Sequence, residues 1–157
     1  MGRRTYSRNR LAVLLKSAPS ADQTAVTEHI TSWFGSYATA FSQLASDRRR
    51  DNEVLLDFYA LPCRLVGLKT DMIIRSPEAL AGFGGVGGDV ERLRQCGLVE
   101  AEIADLLVDL INDRSARLEV LWKRTFLNGD AYGVTEVYAV VLTDLGWRIA
   151  MVFERHL

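Results

Sequence analysis

The sequence predicts an α+β domain in which helices pack against one face of an antiparallel sheet. Two features predict it. Apolar residues recur at three- and four-residue steps from Val26 to Leu44, the mark of an amphipathic helix. The last third of the chain consists of alternating β-branched and aromatic runs separated by turn signals. With 157 residues the chain sits in the single-domain range and can bury a core without disulfide or metal support. A net charge of −1 gives no general attraction to nucleic acid or to an anionic membrane, so neither is expected as a partner.

Arg3, Arg4, Arg8 and Arg10 make a basic N-terminal arm, taken as residues 1–19, which reads as a solvated terminus in preference to an interaction tail. The apolar run Leu11 to Leu15 is cut by Lys16 and is too short for a secretory signal. No stretch approaches the roughly 18 apolar residues of a membrane span. Cys63 and Cys96 have neither metal-ligand nor C-x-x-C spacing and read as buried thiols of a protein in a reducing cytoplasm. Neither a metal nor a cofactor is expected.

The folded domain is expected over residues 20–157. Ser20 and Gln23 match a capping box, so a long helix should open there. Its buried stripe is Val26, Ile30, Trp33, Tyr37, Phe41 and Leu44. The run Asp47 to Asp51 partly neutralises itself and reads as a solvated turn. A short second helix is expected over Glu53 to Tyr59, ended by Pro62, and Cys63 to Val66 reads as a strand. Ser76-Pro77-Glu78 is a helix start, and that third helix should reach Gln95 and stop at Gly97.

Inside it, Gly82 to Gly88 satisfies G-x-G-x-x-G, but it follows a helix start and no βαβ pattern surrounds it, so it is no nucleotide fingerprint. Five glycines in seven residues should break the helix, giving a plain loop or a flap over a pocket. Ala101 to Ile111 fits a helical and a strand pattern equally well. Beyond it, Asn128-Gly129 and Asp144-Leu145-Gly146 join three strands into a meander.

This order of elements resembles the nuclear-transport-factor-2-like, or SnoaL-like, superfamily. The resemblance runs from Ser20 to the C-terminus and is carried best by Ala116 to Arg124, by Asn128-Gly129 and by Gly146-Trp147-Arg148-Ile149. It implies an α+β cone: a curved antiparallel sheet with helices packed in its concave face. It also implies a strand for Ala101 to Ile111.

If Asn128-Gly129 is a two-residue turn, Val120 faces Val137 and Leu118 faces Ala139; if Thr143 opposes Trp147, Ala139 faces Met151 and Val137 faces Phe153. The concave face then carries Leu118, Val120, Trp122, Arg124, Val137, Ala139, Val141, Trp147, Ile149, Met151 and Phe153. The other face carries Leu121, Glu136, Tyr138, Val140, Leu142 and Val152, and the resemblance implies a homodimer through it.

A cone leaves a cavity at its wide end, where a small apolar ligand is expected. Candidates to line it are Trp33, Tyr37, Tyr59, Trp122, Arg124, Met151 and Phe153. All but Arg124 are residues that ordinarily serve as core; Arg124 needs a carboxylate, a ligand anion or water to be tolerated on an apolar face. The resemblance implies two functional classes. The preferred one is a non-catalytic dimeric domain that binds a small ligand or a partner, and it expects no carboxylate or histidine inside the cavity. The alternative is an isomerase, polyketide-cyclase-like or dehydratase enzyme using a pocket carboxylate with Tyr59 or Arg124. In the isomerase pattern a base aspartate ends the first strand, where this chain has Gly67. Asp57 and Asp71 are the substitutes within reach, and His29 and His156 offer little.

Overall fold

The computed structural model describes residues 18–68, 71–82 and 89–155. The basic cluster of the N-terminal arm and most of the glycine run lie outside them, as does His156. Helix α1 spans Ala21–Ala45 and opens on the expected capping box, with Ser20 Oγ accepting from Gln23 N at 3.2 Å and Ser20 N donating to Gln23 Oε1 at 3.0 Å. Its buried stripe is Ile30, Phe34, Tyr37, Phe41 and Leu44, so Phe34 holds the place assigned to Trp33, which is only half-buried.

The segment expected as a second helix is a 3-10 turn over Asn52–Asp57, and Tyr59 opens strand β1, Tyr59–Val66. Pro62 does not terminate a helix. It lies within β1, preceded by a cis peptide bond, in the stretch where the strand's pairing with its neighbour shifts register. Proline is tolerated there because no ladder bond needs its missing N–H. Strand β2 is Asp71–Ile74. Of the two thiols expected to be buried, Cys63 on β1 is, whereas Cys96 is exposed. The third helix is two short ones, α2 (Pro77–Gly82) and α3 (Asp89–Gln95), and Gly97, at φ +76°, follows α3 as the sequence requires.

Four long strands follow: β3 (Leu98–Asn112), β4 (Ser115–Phe126), β5 (Ala131–Thr143) and β6 (Gly146–Glu154). The sheet is curved and unclosed, in the order β2-β1-β6-β5-β4-β3. All neighbours are antiparallel except β1 and β6, which run parallel. The helices fill the inner face, burying Ile30, Phe34 and Phe41 with Leu118, Val120, Trp122 and Ile149.

Arg94 fixes how the helices meet. Its Nε donates to Leu44 O at 2.7 Å and its Nη2 to Arg49 O at 3.2 Å and Asn52 Oδ1 at 3.3 Å. It therefore caps the C-terminal end of α1 with a charge-assisted bond and holds α3 against it.

The expected register of the meander is off by one residue. Val120 pairs with Glu136 and Leu118 with Tyr138. Phe126 N donates to Asp130 O at 2.9 Å and Gly129 sits at φ +88°, so the turn holds three residues, with glycine supplying the left-handed position. A slip of one residue moves every side chain of β5 to the opposite face. Glu136, Tyr138 and Val140 are buried on the inner face, not exposed on the outer one.

The second turn departs differently. Thr143 pairs with Gly146, but a bulge between Ile149 and Met151 restores the expected pairs Ala139 with Met151 and Val137 with Phe153. Trp147 and Ile149 point inward as expected, and beyond the bulge Val152 does so while Met151 and Phe153 face out.

Candidate functional site

A cavity of about 300 Å³ opens on the inner face, between α1, α3 and the strands β1, β5 and β6. Aromatic rings of Tyr37, Phe41, Tyr59 and Tyr138 line it, together with the charged groups of Asp89, Arg92, Glu136 and Glu154. Such a volume lies at the small end of ligand pockets.

Two polar pairs form its deep wall. Tyr37 and Tyr59 share a buried hydroxyl–hydroxyl bond of 2.7 Å. Tyr138 Oη donates to Glu136 Oε2 at 2.5 Å and accepts from Trp122 Nε1 at 3.2 Å. Behind them, the buried Arg124 guanidinium reaches Glu136 Oε1 at 3.4 Å and Asp89 Oδ2 at 3.6 Å. The other oxygen of Asp89 takes Arg92 Nη2 at 2.5 Å, so the aspartate bridges the buried arginine and the one lining the cavity.

The electrostatics follow from burial. Desolvation pushes the Glu136 carboxyl above the usual carboxylate range; Arg124 and the Tyr138 hydroxyl oppose that shift, and the Asp89 and Glu154 charges add to it. Burial likewise raises Tyr37, Tyr59 and Tyr138, so all three hydroxyls stay protonated at neutral pH; Tyr138 gives its proton to Glu136, and one donor of the Tyr37–Tyr59 pair is left over. A raised carboxyl beside neutral hydroxyls is suited to exchanging a proton with a bound molecule while donors meet the charge that develops.

Of the residues proposed from sequence, Tyr37 and Tyr59 line the cavity. Trp122 and Arg124 stand behind it as partners of Tyr138 and Glu136. Trp33 packs between Phe34 and Phe58 and is not among the lining residues, while Met151 and Phe153 are on the outer face. Asp57 and Asp71 are exposed and away from the cavity, Asp71 being tied to Arg64. Gly67 does line it, so the place of the isomerase base is there without a carboxylate. Carboxylates come instead from β5, α3 and β6. The expectation of a cavity without carboxylates is thus not met.

Among the outward candidates, Leu121 is exposed, whereas Glu136, Tyr138, Val140 and Val152 are buried and Leu142 packs against the core. Sequence reasoning missed Glu136 and Tyr138 through the register slip. Arg124 itself held the signal: its need for a carboxylate on its own face favours the register that turns Glu136 inward.

The fold and this site define a nuclear-transport-factor-2-like domain with an ionisable cavity. The chain belongs to the family NTF2-like protein (DUF6841), whose model matches residues 27–156. No curated protein matches it. Among solved structures it is similar to a nuclear transport factor 2 (NTF2-like) superfamily protein from Salmonella enterica, at 15% identity and TM-score 0.59, over 84% of this chain and 91% of that one. It is also similar to an NTF2-like protein with a cystatin-like fold from Novosphingobium aromaticivorans, at 12% identity and TM-score 0.60, over 87% and 90%. A protein of unknown function from Mycobacterium tuberculosis matches at 18% identity and TM-score 0.60, over 85% and 77%. At such identities the likeness speaks for the fold alone. Among the described residues no helix is long and apolar enough to cross a membrane.

Proposed function

We propose that this chain is a proton-transfer enzyme acting on a small carbonyl compound, in the broad class of isomerases, cyclases and dehydratases. The observation that carries the reading is Glu136: a buried carboxyl facing a cavity and hydrogen-bonded to Tyr138, beside the Tyr37–Tyr59 hydroxyl pair. Glu136 takes a proton from the carbon next to the carbonyl. The hydroxyl of the Tyr37–Tyr59 pair that is not spent on its partner donates to the oxygen on which charge develops. Tyr138 and Arg124 hold the carboxylate in place.

Exchange of carbon-bound hydrogen for deuterium in D2O, followed by NMR over a panel of small enolisable ketones and β-dicarbonyl compounds, tests this without knowledge of the product. The protein should accelerate exchange for part of the panel, and Glu136→Gln should remove the effect while keeping the fold. Acceleration by neither protein, or equally by both, rejects the reading.

A homodimer through the outer sheet face is a second, separate reading. It is favoured by Leu121, Val137, Ala139, Met151 and Phe153, which lie together on that face, exposed or half-buried, with charged Arg117, Glu119 and Lys123 among them. Light scattering should give twice the chain mass for the natural protein and the chain mass for Phe153→Arg. A monomer in both cases rejects it.

A further inference from the structure

The charges around the cavity do not balance. Asp89, Glu136 and Glu154 line it together with a single basic side chain, Arg92, and Arg124 stands behind its wall. Arg92 is already engaged: its Nε and Nη2 both donate to Asp89 Oδ1, at 3.2 and 2.5 Å. Arg124 lies against the other Asp89 oxygen and against Glu136. Those two arginines and two carboxylates neutralise one another, and Glu154 is left over. Its Oε2 accepts the Leu68 N–H at 3.1 Å, and among the described residues no basic side chain pairs with it.

The position of that charge bears on what enters. Glu154 stands directly opposite Glu136 in the β5–β6 ladder, and both line the cavity. Side chains so placed start about 5 Å apart at Cβ, and like charges there repel. Glu154 accordingly adds to the upward push on the Glu136 carboxyl. A cation seated between the two relieves the repulsion. The rest of the wall suits one, because the rings of Tyr37, Phe41, Tyr59 and Tyr138 offer the electron-rich surface that holds ammonium groups.

We infer, resting on the proton-transfer reading for the chemistry, that the cavity selects a ketone carrying an ammonium group beside its carbonyl, with Glu154 as the specificity-determining residue. With the ammonium at Glu154, the carbon that joins it to the carbonyl comes before Glu136 on the opposite strand. Glu136 takes a proton from that carbon, the electron pair of the broken C–H bond moves to the carbonyl oxygen, and the nearby positive charge favours the enolate that forms. An anionic group in the same place meets Glu154 and Glu136 together, and Arg92 is free to receive it only on leaving Asp89.

Titration of the full chain by NMR tests this with three ketones of similar size: acetonyltrimethylammonium, the neutral neopentyl methyl ketone of the same shape, and anionic levulinate. The cation should bind about tenfold more tightly than the neutral ketone, and levulinate more weakly than either. Glu154→Gln, which keeps an acceptor for the Leu68 N–H, should bring the cation down to the affinity of the neutral ketone. Equal affinity for all three, a preference for levulinate, no binding of any, or a cation preference that survives Glu154→Gln overturns the inference. Binding is read apart from turnover. A cation preference without deuterium exchange anywhere in the ketone panel upholds Glu154 as the anchor and rejects the proton-transfer reading, whereas exchange without the preference rejects the anchor alone.

Discussion

Glu136 and Tyr138 stand two residues apart on one face of β5, and the tyrosine hydroxyl donates to the carboxylate at 2.5 Å inside the core. The alternation of a strand puts the pair side by side without any further chain movement. A carboxyl in this setting is costly when charged, and its cost depends on pH.

The folded chain holds Glu136 above its ordinary 4.5, because burial disfavours the carboxylate. Between 4.5 and the raised value the folded state binds the proton that the unfolded chain has released. The resulting stabilisation is complete below 4.5 and is lost as pH rises through the folded value. Unfolding free energies of the natural chain and of Glu136→Gln should therefore diverge with pH, the natural chain losing ground to the variant on the way up. A flat difference would show Glu136 to be unperturbed, and one that grows in favour of the natural chain with rising pH would show it held below its ordinary value.

The hydroxyls of Tyr37 and Tyr59 bond to one another on the cavity wall, both rings being buried. Removing either in Tyr37→Phe or Tyr59→Phe should cost about 1–2 kcal/mol by stranding its partner. The double variant should cost less than the sum, with a coupling of about 1 kcal/mol in a mutant cycle. Strict additivity in chemical denaturation would mean that the bond contributes nothing.

Adjacent positions on β5 report the register. Tyr138→Ala empties a core site and should cost about 3–5 kcal/mol, whereas Val137→Ala trims the outer face and should cost no more than about 1 kcal/mol. Denaturation midpoints in the reverse order would restore the register that a two-residue turn predicts.

Ser42 is a buried polar residue on α1 whose hydroxyl accepts the Ala101 N–H of β3 at 3.0 Å. Ser42→Ala leaves that amide without its partner and should cost about 1–3 kcal/mol. Thr39→Ala is the control, since its exposed hydroxyl only returns to Gly35 O and its loss should stay within about 0.5 kcal/mol. Equal costs would mean that the Ser42 bond does not tie helix to sheet.

The architecture was legible because its signals are local and redundant. The capping box, the stripe of α1, Gly97 after α3 and the turn glycine at 129 each act within a few residues of themselves. The site was less legible because it rests on parity. One extra turn residue before β5 and one bulge in β6 decide which of Glu136 or Val137, and which of Val152 or Phe153, faces the cavity, and neither event has a strong sequence mark. Asp89 and Arg92 were missed for another reason: their place depends on Arg94 clamping α3 to the end of α1, a contact between segments far apart in the chain.

The parallel pairing of β1 with β6 bears on how the chain is made. Tyr59 lies beside Ile149 and Val66 beside Phe153, so β1 has no partner from its own neighbourhood except the four-residue β2. During synthesis α1 and β1 leave the ribosome long before the strand that completes their side of the sheet. The meander β3 to β5 can form first, hairpin by hairpin, and the wall bearing Tyr59 closes only when β6 arrives. Until then the hydrophobic stripe of α1 lacks the part of the sheet that β6 completes.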